Sequence, residues 1–236
     1  MIYIIATTPR TGGHFLCELL TGTEVCGRPS EYVLRKTVHK WRDLYGCRTR
    51  QEYLDVYLRK GRSANGVFGA KLTWWQFCEF TAELAGSASL TNRERALALK
   101  QICHGCRYIF LRRRDQIRQV ISYSRALQTG RWSSKTGASM KPPPEIFDVD
   151  ALDELTRAIM LSESHWEEYF AEVDAHHLPL FYEDLVREPQ SWVTRILAYL
   201  GIDHEWSGPC RSGLQQQSDE LTEQWVRRYE GLRSSP

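Results

Sequence analysis

The chain opens on a short apolar run, Ile2-Tyr3-Ile4-Ile5-Ala6, followed at once by polar, glycine-rich Thr7 to Gly13. Apolar periodicity then resumes in Phe15-Leu16-Cys17-Glu18-Leu19-Leu20. A brief β-branched run of this kind reads as a buried strand, and the segment after the glycines reads as a helix. Strand, glycine loop and helix make the βα turn that opens many nucleotide-binding sheets.

The rest of the chain repeats the alternation. Strands are expected at Gly66 to Leu72, Tyr108 to Leu111 and Leu178 to Tyr182. Helices are expected over 50–60, from about Trp74, through Ile117, Val120, Ile121 and Ser124, over 149–173, from Pro189 to Leu200, and within 217–229. The pattern predicts an α/β fold: a central, mostly parallel sheet flanked by helices on both faces. A length of 236 residues suits one domain with a sizeable core, spanning 1–236. Residues 130–148, rich in Gly, Ser, Lys and Pro, read as a surface loop or flap.

Charge narrows the function classes. A formal net charge of +2 offers no concentrated basic face, so nucleic acid and membrane surfaces are not expected partners. Any anion site must be local. No stretch approaches the roughly 18 apolar residues of a membrane span. No basic leader precedes the opening run and Arg10 follows it directly, so a cytoplasmic protein is expected. The seven cysteines, at 17, 26, 47, 78, 103, 106 and 210, read as free thiols. Cys103-His104-Gly105-Cys106 resembles half a zinc site but lacks a second half, and no metal is expected.

The loop Thr8-Pro9-Arg10-Thr11-Gly12-Gly13-His14 has the parts of an anion cradle. Glycines let backbone N–H groups approach closely, the following helix offers its N-terminal dipole, and Arg10 adds a fixed charge with a planar fork of donors. The phosphate-loop pattern GxxxxGK[ST] is absent, and no lysine lies in the loop. Sulfuryl transfer suits that deficit, because a sulfuryl group carries less charge than a phosphoryl group. The competing reading is a tight turn with an exposed arginine.

Three stretches carry a family resemblance. Thr8-Pro9-Arg10-Thr11-Gly12-Gly13 resembles the 5′-phosphosulfate loop of sulfotransferases that use 3′-phosphoadenosine 5′-phosphosulfate (PAPS). Phe110-Leu111-Arg112-Arg113-Arg114-Asp115 with Ser122-Tyr123 resembles their 3′-phosphate segment. Tyr182 to Pro189, with Ile196 to Gly201, resembles their YEDL stretch. Gly27-Arg28-Pro29-Ser30-Glu31-Tyr32, Gly66 to Leu72, and Arg125 to Thr129 with Trp132 are similar to the bacterial carbohydrate sulfotransferases.

The resemblance implies a P-loop-like sulfotransferase fold. It also implies transfer of a sulfuryl group from PAPS to a hydroxyl of a small acceptor, a carbohydrate or glycoconjugate, leaving adenosine 3′,5′-bisphosphate. Arg10 would face the bridging oxygen, where charge grows as the bond breaks. Thr11 and the backbone of Gly12, Gly13, His14 and Phe15 would cradle the 5′-phosphate. Arg113 and Ser122 would take the 3′-phosphate, with Arg112 and Arg114 as rivals to Arg113. Glu31 is implied as general base, with Glu18 as rival. His14 stands where the family has a small hydroxyl residue. It reads either as a donor to the sulfuryl oxygen or as an ordinary first-turn residue. Gln217 is the cofactor contact from the C-terminal region, although Gln216-Gln217 replaces the family's Arg-Gln pair. Lys71 would reach the cleft from the end of its strand, and Trp74, Trp75 and Trp132 offer flat surfaces to a sugar. Relatives of this kind include dimers, so a homodimer is an expectation by analogy. The alternatives are a P-loop-type nucleotide kinase and a non-catalytic nucleotide-binding relative.

Overall fold

A computed structural model describes residues 1–103, 105–132, 145–204, 206, 208 and 219–233. Four strands, β1 (Ile2–Thr7), β2 (Phe68–Thr73), β3 (Cys106–Arg112) and β4 (His177–Phe181), form one sheet in the order β2-β1-β3-β4. Every neighbouring pair is parallel. The described residues hold ten helices: α1 (Gly13–Gly22), α2 (Arg35–Tyr45), α3 (Arg50–Lys60), α4 (Trp74–Ala85), α5 (Asn92–Leu99), α6 (Gln116–Thr129), α7 (Val149–Glu172), α8 (Tyr182–Arg187), α9 (Pro189–Leu200) and α10 (Glu220–Arg233).

The apolar opening run is buried because β1 is an inner strand covered on both faces. Side chains alternate across it. Ile2, Ile4 and Ala6 pack with Tyr53, Tyr57, Phe77, Trp166 and Tyr169 from α3, α4 and α7. Tyr3 and Ile5 pack with Leu16, Leu19 and Leu20 of α1 and with Val193, Ile196 and Leu197 of α9. Each fully buried aliphatic side chain contributes roughly 1.5–3 kcal/mol. Together these two clusters fix the sheet between its helical layers.

The strand order places the site. The chain adds β2 on one side of β1 and then crosses to add β3 on the other. Ligands of open parallel sheets bind at the carboxyl ends of the strands, where that reversal opens a crevice. Here Thr7 is level with Thr73 and Leu111, so the loops after β1 and β3 leave the same edge side by side.

The four expected strands are present with bounds shifted by one or two residues. Lys71 lies inside β2, opposite Ile5, and not at its end. Three helices were not legible: α2, α5 and α8. In α5 the signal existed, since Thr91 and Glu94 form a reciprocal capping box. α2 begins at Leu34 with no side-chain cap, so nothing local announces it. The cysteine expectation needs correction. Cys103 and Cys106 are joined as a disulfide, because the turn between α5 and β3 brings their Cα atoms to 6.3 Å. Cys17, Cys26, Cys47 and Cys78 are free, while Cys210 lies outside the described residues. Most of the expected flap, 133–144, also lies outside them.

One buried cation ties distant segments together. Arg125 of α6 pairs with Glu145, ahead of α7, and at 2.5 and 2.8 Å with Asp219, ahead of α10. Arg125 and Glu145 are only 15% and 13% exposed, so removing one leaves the other as an unpaired buried charge. Arg125→Met is expected to cost about 3 kcal/mol. Thermal unfolding should show a midpoint lower by roughly 6–12 °C.

Candidate active site

The loop after β1 turns through two left-handed residues, Arg10 (φ 66°) and Gly12 (φ 78°). For arginine this conformation costs about 1–2 kcal/mol, so the surroundings must hold it. They do so at several points. The Thr7 hydroxyl donates to the Leu111 carbonyl at 2.9 Å and lies 2.5 Å from the Thr11 hydroxyl. Gln119 of α6, fully buried, donates to the Thr8 hydroxyl (2.9 Å) and the Pro9 carbonyl (2.8 Å). The Thr8 hydroxyl in turn donates weakly to Glu163 of α7 at 3.5 Å. Thr11 therefore spends its hydroxyl inside the loop, and what it leaves for a ligand is its backbone N–H.

Gly12 and Gly13 are required by close approach as well as by conformation. A Cβ on Gly12 would stand 2.3 Å from the Tyr182 ring, and one on Gly13 would stand 2.7 Å from Cδ of Lys71. Gly12 is the N-cap of α1, so the N–H groups of Gly13, His14 and Phe15 open the helix without intrahelical acceptors. That is an anion site in the geometric sense.

Two arginines meet beside it. Arg10 donates through Nε to Ser122 of α6 at 2.8 Å and through Nη1 to the Trp132 carbonyl at 2.5 Å. Arg113 donates through Nη1 to the Arg10 carbonyl at 3.4 Å and stacks on Tyr182. Its Nε is buried without a hydrogen-bond partner among the described residues, Glu183 lying 4.0 Å away. Burial lowers the pKa of both guanidinium groups, and for Arg10 the charge of Arg113 lowers it further. Two buried neighbouring cations, one with an orphan donor, are what a multiply charged anion stabilises best.

The three arginines after β3 divide cleanly. Arg113 turns to the first loop. Arg112 pairs with Glu167 at 2.9 Å and covers Phe110 and Phe181, and Arg114 pairs with Asp184 at 2.6 Å. Both are engaged with protein, and Arg112 Nε, like that of Arg113, is buried without a hydrogen-bond partner among the described residues.

Glu31 reaches the same region by a different route. Ser30 bridges to Ala70 of β2, and the Lys71 N–H donates to the Ser30 carbonyl at 3.0 Å. This sets Glu31 beside Lys71, whose Nζ lies 2.9 Å from one carboxylate oxygen. Nε2 of His14, in the first turn of α1, lies 3.6 Å from the other. Burial pushes the Glu31 pKa up, but the charge and hydrogen bond of Lys71, with His14 close by, outweigh it. The carboxyl is held well below the usual range. Glu18, the rival, lies close enough to Cys17 for its charge to raise that thiol's pKa.

The aromatic candidates separate. Trp74 packs against Phe77, His165, Trp166 and Tyr169, edge-on to Trp166 at 5.1 Å, and belongs to the rim of the aromatic core. Trp75 is half exposed on α4. Trp132 lies by the Arg10 fork and 6.1 Å from Tyr123. Gln217 lies outside the described residues.

The sequence reading gave no role to Gln119 or to the Tyr182-Glu183-Asp184 side chains. Tyr182 lies on Gly12 and under Arg113. Glu183 accepts from the N–H groups of Arg114 and Asp115, each at 3.1 Å. Asp184 holds Arg114 and Arg187. The YEDL stretch was visible as a motif, and its side chains brace the loops after β1 and β3.

With this geometry in hand, the comparisons with known proteins agree. The family model for Stf0 sulphotransferases matches residues 2–231, and the chain belongs to that family. It is a sulfotransferase. Trehalose 2-sulfotransferase of Mycobacterium tuberculosis is 26% identical to it over 96% of this chain and 93% of that protein. Trehalose 2-sulfotransferase of Mycolicibacterium smegmatis is 23% identical over the same shares. Among solved structures, the sulfotransferase domain of the Synechococcus PCC 7002 olefin synthase aligns with 98% of this chain and 94% of that one. The TM-score is 0.46 and the identity 14%. No helix among the described residues is long and apolar enough to cross a membrane.

The Glu31–Lys71 pair has a pH signature. A carboxylate whose folded pKa lies below the unfolded value of about 4.3 contributes stability that is complete above that value. The contribution is lost as pH falls toward the folded value. Glu31→Gln is therefore expected to lower stability at pH 7 by roughly 2 kcal/mol. Denaturant titrations at falling pH should show the gap to wild type narrowing below about pH 4.3.

Proposed function

We propose that this chain transfers the sulfuryl group of PAPS to a carbohydrate hydroxyl, with Glu31 as general base. The observation that carries the reading is the meeting of three groups at one sheet edge. These are the helix N-terminus behind Gly12, the Arg10–Arg113 pair, and a carboxylate tied to the first turn of that helix. The trehalose 2-sulfotransferases among its relatives support a carbohydrate as the acceptor class.

In this reading the first-turn N–H groups of α1 and the Arg10 guanidinium hold the 5′-phosphosulfate end of the donor. Arg113 and Ser122 hold the 3′-phosphate. Glu31 orients the acceptor hydroxyl and takes its proton as the new S–O bond forms. The bond from sulfur to the bridging phosphate oxygen breaks, and its electron pair stays on the phosphate. Arg10 meets the charge that grows there, so it stabilises the transition state more than the ground state. Lys71 and His14 stand where sulfuryl oxygens would come, and Trp132 borders the acceptor side.

Two measurements test this. Adenosine 3′,5′-bisphosphate, without magnesium, should raise the unfolding midpoint by roughly 5–10 °C at 100-fold excess over its Kd. Arg113→Met should weaken that binding by at least about tenfold. With labelled PAPS and trehalose, wild type should form a sulfated sugar. Glu31→Gln should lose roughly 10²–10⁴-fold in kcat while retaining bisphosphate binding. Stabilisation only by ATP with magnesium, or Glu31→Gln turning over like wild type, would overturn the reading.

A further inference from the structure

One oxygen of the Glu31 carboxylate is paired with Lys71 at 2.9 Å, and the other lies 3.6 Å from Nε2 of His14. A carboxylate held this way is a poor proton acceptor, since taking a proton means giving up an ion pair. Either the assignment as base fails, or something releases the carboxylate before the chemistry. The position of Lys71 shows what could do so. Its stem crosses the start of α1, and a Cβ on Gly13 would lie 2.7 Å from Lys71 Cδ and 3.6 Å from its Nζ. The ammonium thus lies beside both Glu31 and the first turn of α1. Its side chain is 8% exposed, so few other partners are open to it.

We infer that Lys71 is a positioning residue that couples donor occupancy to the base. Without the sulfuryl donor it masks Glu31, and the sulfuryl oxygens of a bound donor draw its ammonium away and free the carboxylate for the acceptor hydroxyl. Only the hydrogen-bond partner of Lys71 changes in this step. The product bisphosphate has no sulfuryl group, so it leaves Glu31 masked. This inference rests on the reading of PAPS as donor. The titratable groups facing Glu31 are Lys71 from β2 and His14 and Cys17 from α1. Cys17 is a buried thiol that burial pushes up to about 12, so it stays neutral and adds no competing charge. Lys71 is the main cation holding the Glu31 carboxyl down.

The test follows protonation of Glu31 directly and needs no acceptor. Carboxyl ¹³C shifts are recorded against pH in glutamate-labelled protein, with the Glu31→Gln spectrum assigning the resonance. In wild type alone, or with adenosine 3′,5′-bisphosphate, Glu31 should stay ionised below pH 4.3, about the ordinary glutamate value. Saturating PAPS should raise its midpoint by at least about one pH unit, a tenfold change in proton affinity. In Lys71→Met the midpoint should be high already, and the two ligands should give the same value. Lys71→Arg should restore the difference between them. The wild-type comparison of PAPS with bisphosphate involves no substitution, so it stands even if Lys71→Met fails to fold. Equal midpoints with both ligands in wild type would overturn the coupling while leaving the donor reading intact. Absence of any PAPS binding heat by calorimetry would overturn the donor reading and this inference with it.

Discussion

The geometry of the site depends on the contact between the Tyr182 ring and the backbone at Gly12. The ring occupies the space a Cβ would need, so the loop after β1 turns only through a left-handed glycine at that point. The same ring carries the Arg113 guanidinium 4.9 Å from its centroid. One aromatic side chain, held at the junction of β4 and α8, thereby sets the distance between a helix N-terminus and a buried cation. The neighbouring carboxylates extend the brace, with Glu183 fixing the backbone that leads into α6. Arg10 keeps its strained conformation because every flanking residue of the loop is tied to a strand or a helix.

This arrangement concentrates like charge where water is scarce. Arg10 and Arg113 lie in contact, and burial depresses both. Desolvating two adjacent cations is unfavourable unless an anion offsets it. Arg113 lies 4.0 Å from Glu183, a longer separation than the 2.9 and 2.6 Å of the Arg112 and Arg114 ion pairs. Three consecutive arginines thus differ in what they meet, Arg113 turning to the first loop and Arg112 and Arg114 to carboxylates of α7 and α8.

Much of this could be read before the coordinates, and the boundary has a physical cause. The sheet was legible because buried parallel strands are written as continuous apolar runs bounded by loops, and Ile2 to Ala6 is such a run. The glycine turn after β1 was legible because close approach of Tyr182 and Lys71 to the backbone demands glycine. The choice among Arg112, Arg113 and Arg114 was not, since all three follow the same strand and only the tertiary partners distinguish them. The Glu31–Lys71 pair joins residues forty positions apart through the Ser30–Ala70 bridge, and no local pattern encodes that bridge. The Cys103–Cys106 bond depends on a turn that brings the two residues close, which spacing alone does not determine.

Helix α6 connects the ligand-facing parts to the rest of the fold. Gln119 and Ser122, three residues apart, share the face toward the first loop and hold Pro9 and Arg10. Arg118 and Arg125, seven apart, share another face, toward α10, and pair with Glu223 and Asp219. The two faces belong to one rigid body. A shift of α6 large enough to break the α10 contacts must also carry Ser122 away from the Arg10 guanidinium. The docking of α10 and the orientation of Arg10 are therefore mechanically linked through α6. Substitutions in that distant interface should act on the site through Ser122, and so register first in how the guanidinium of Arg10 is aimed.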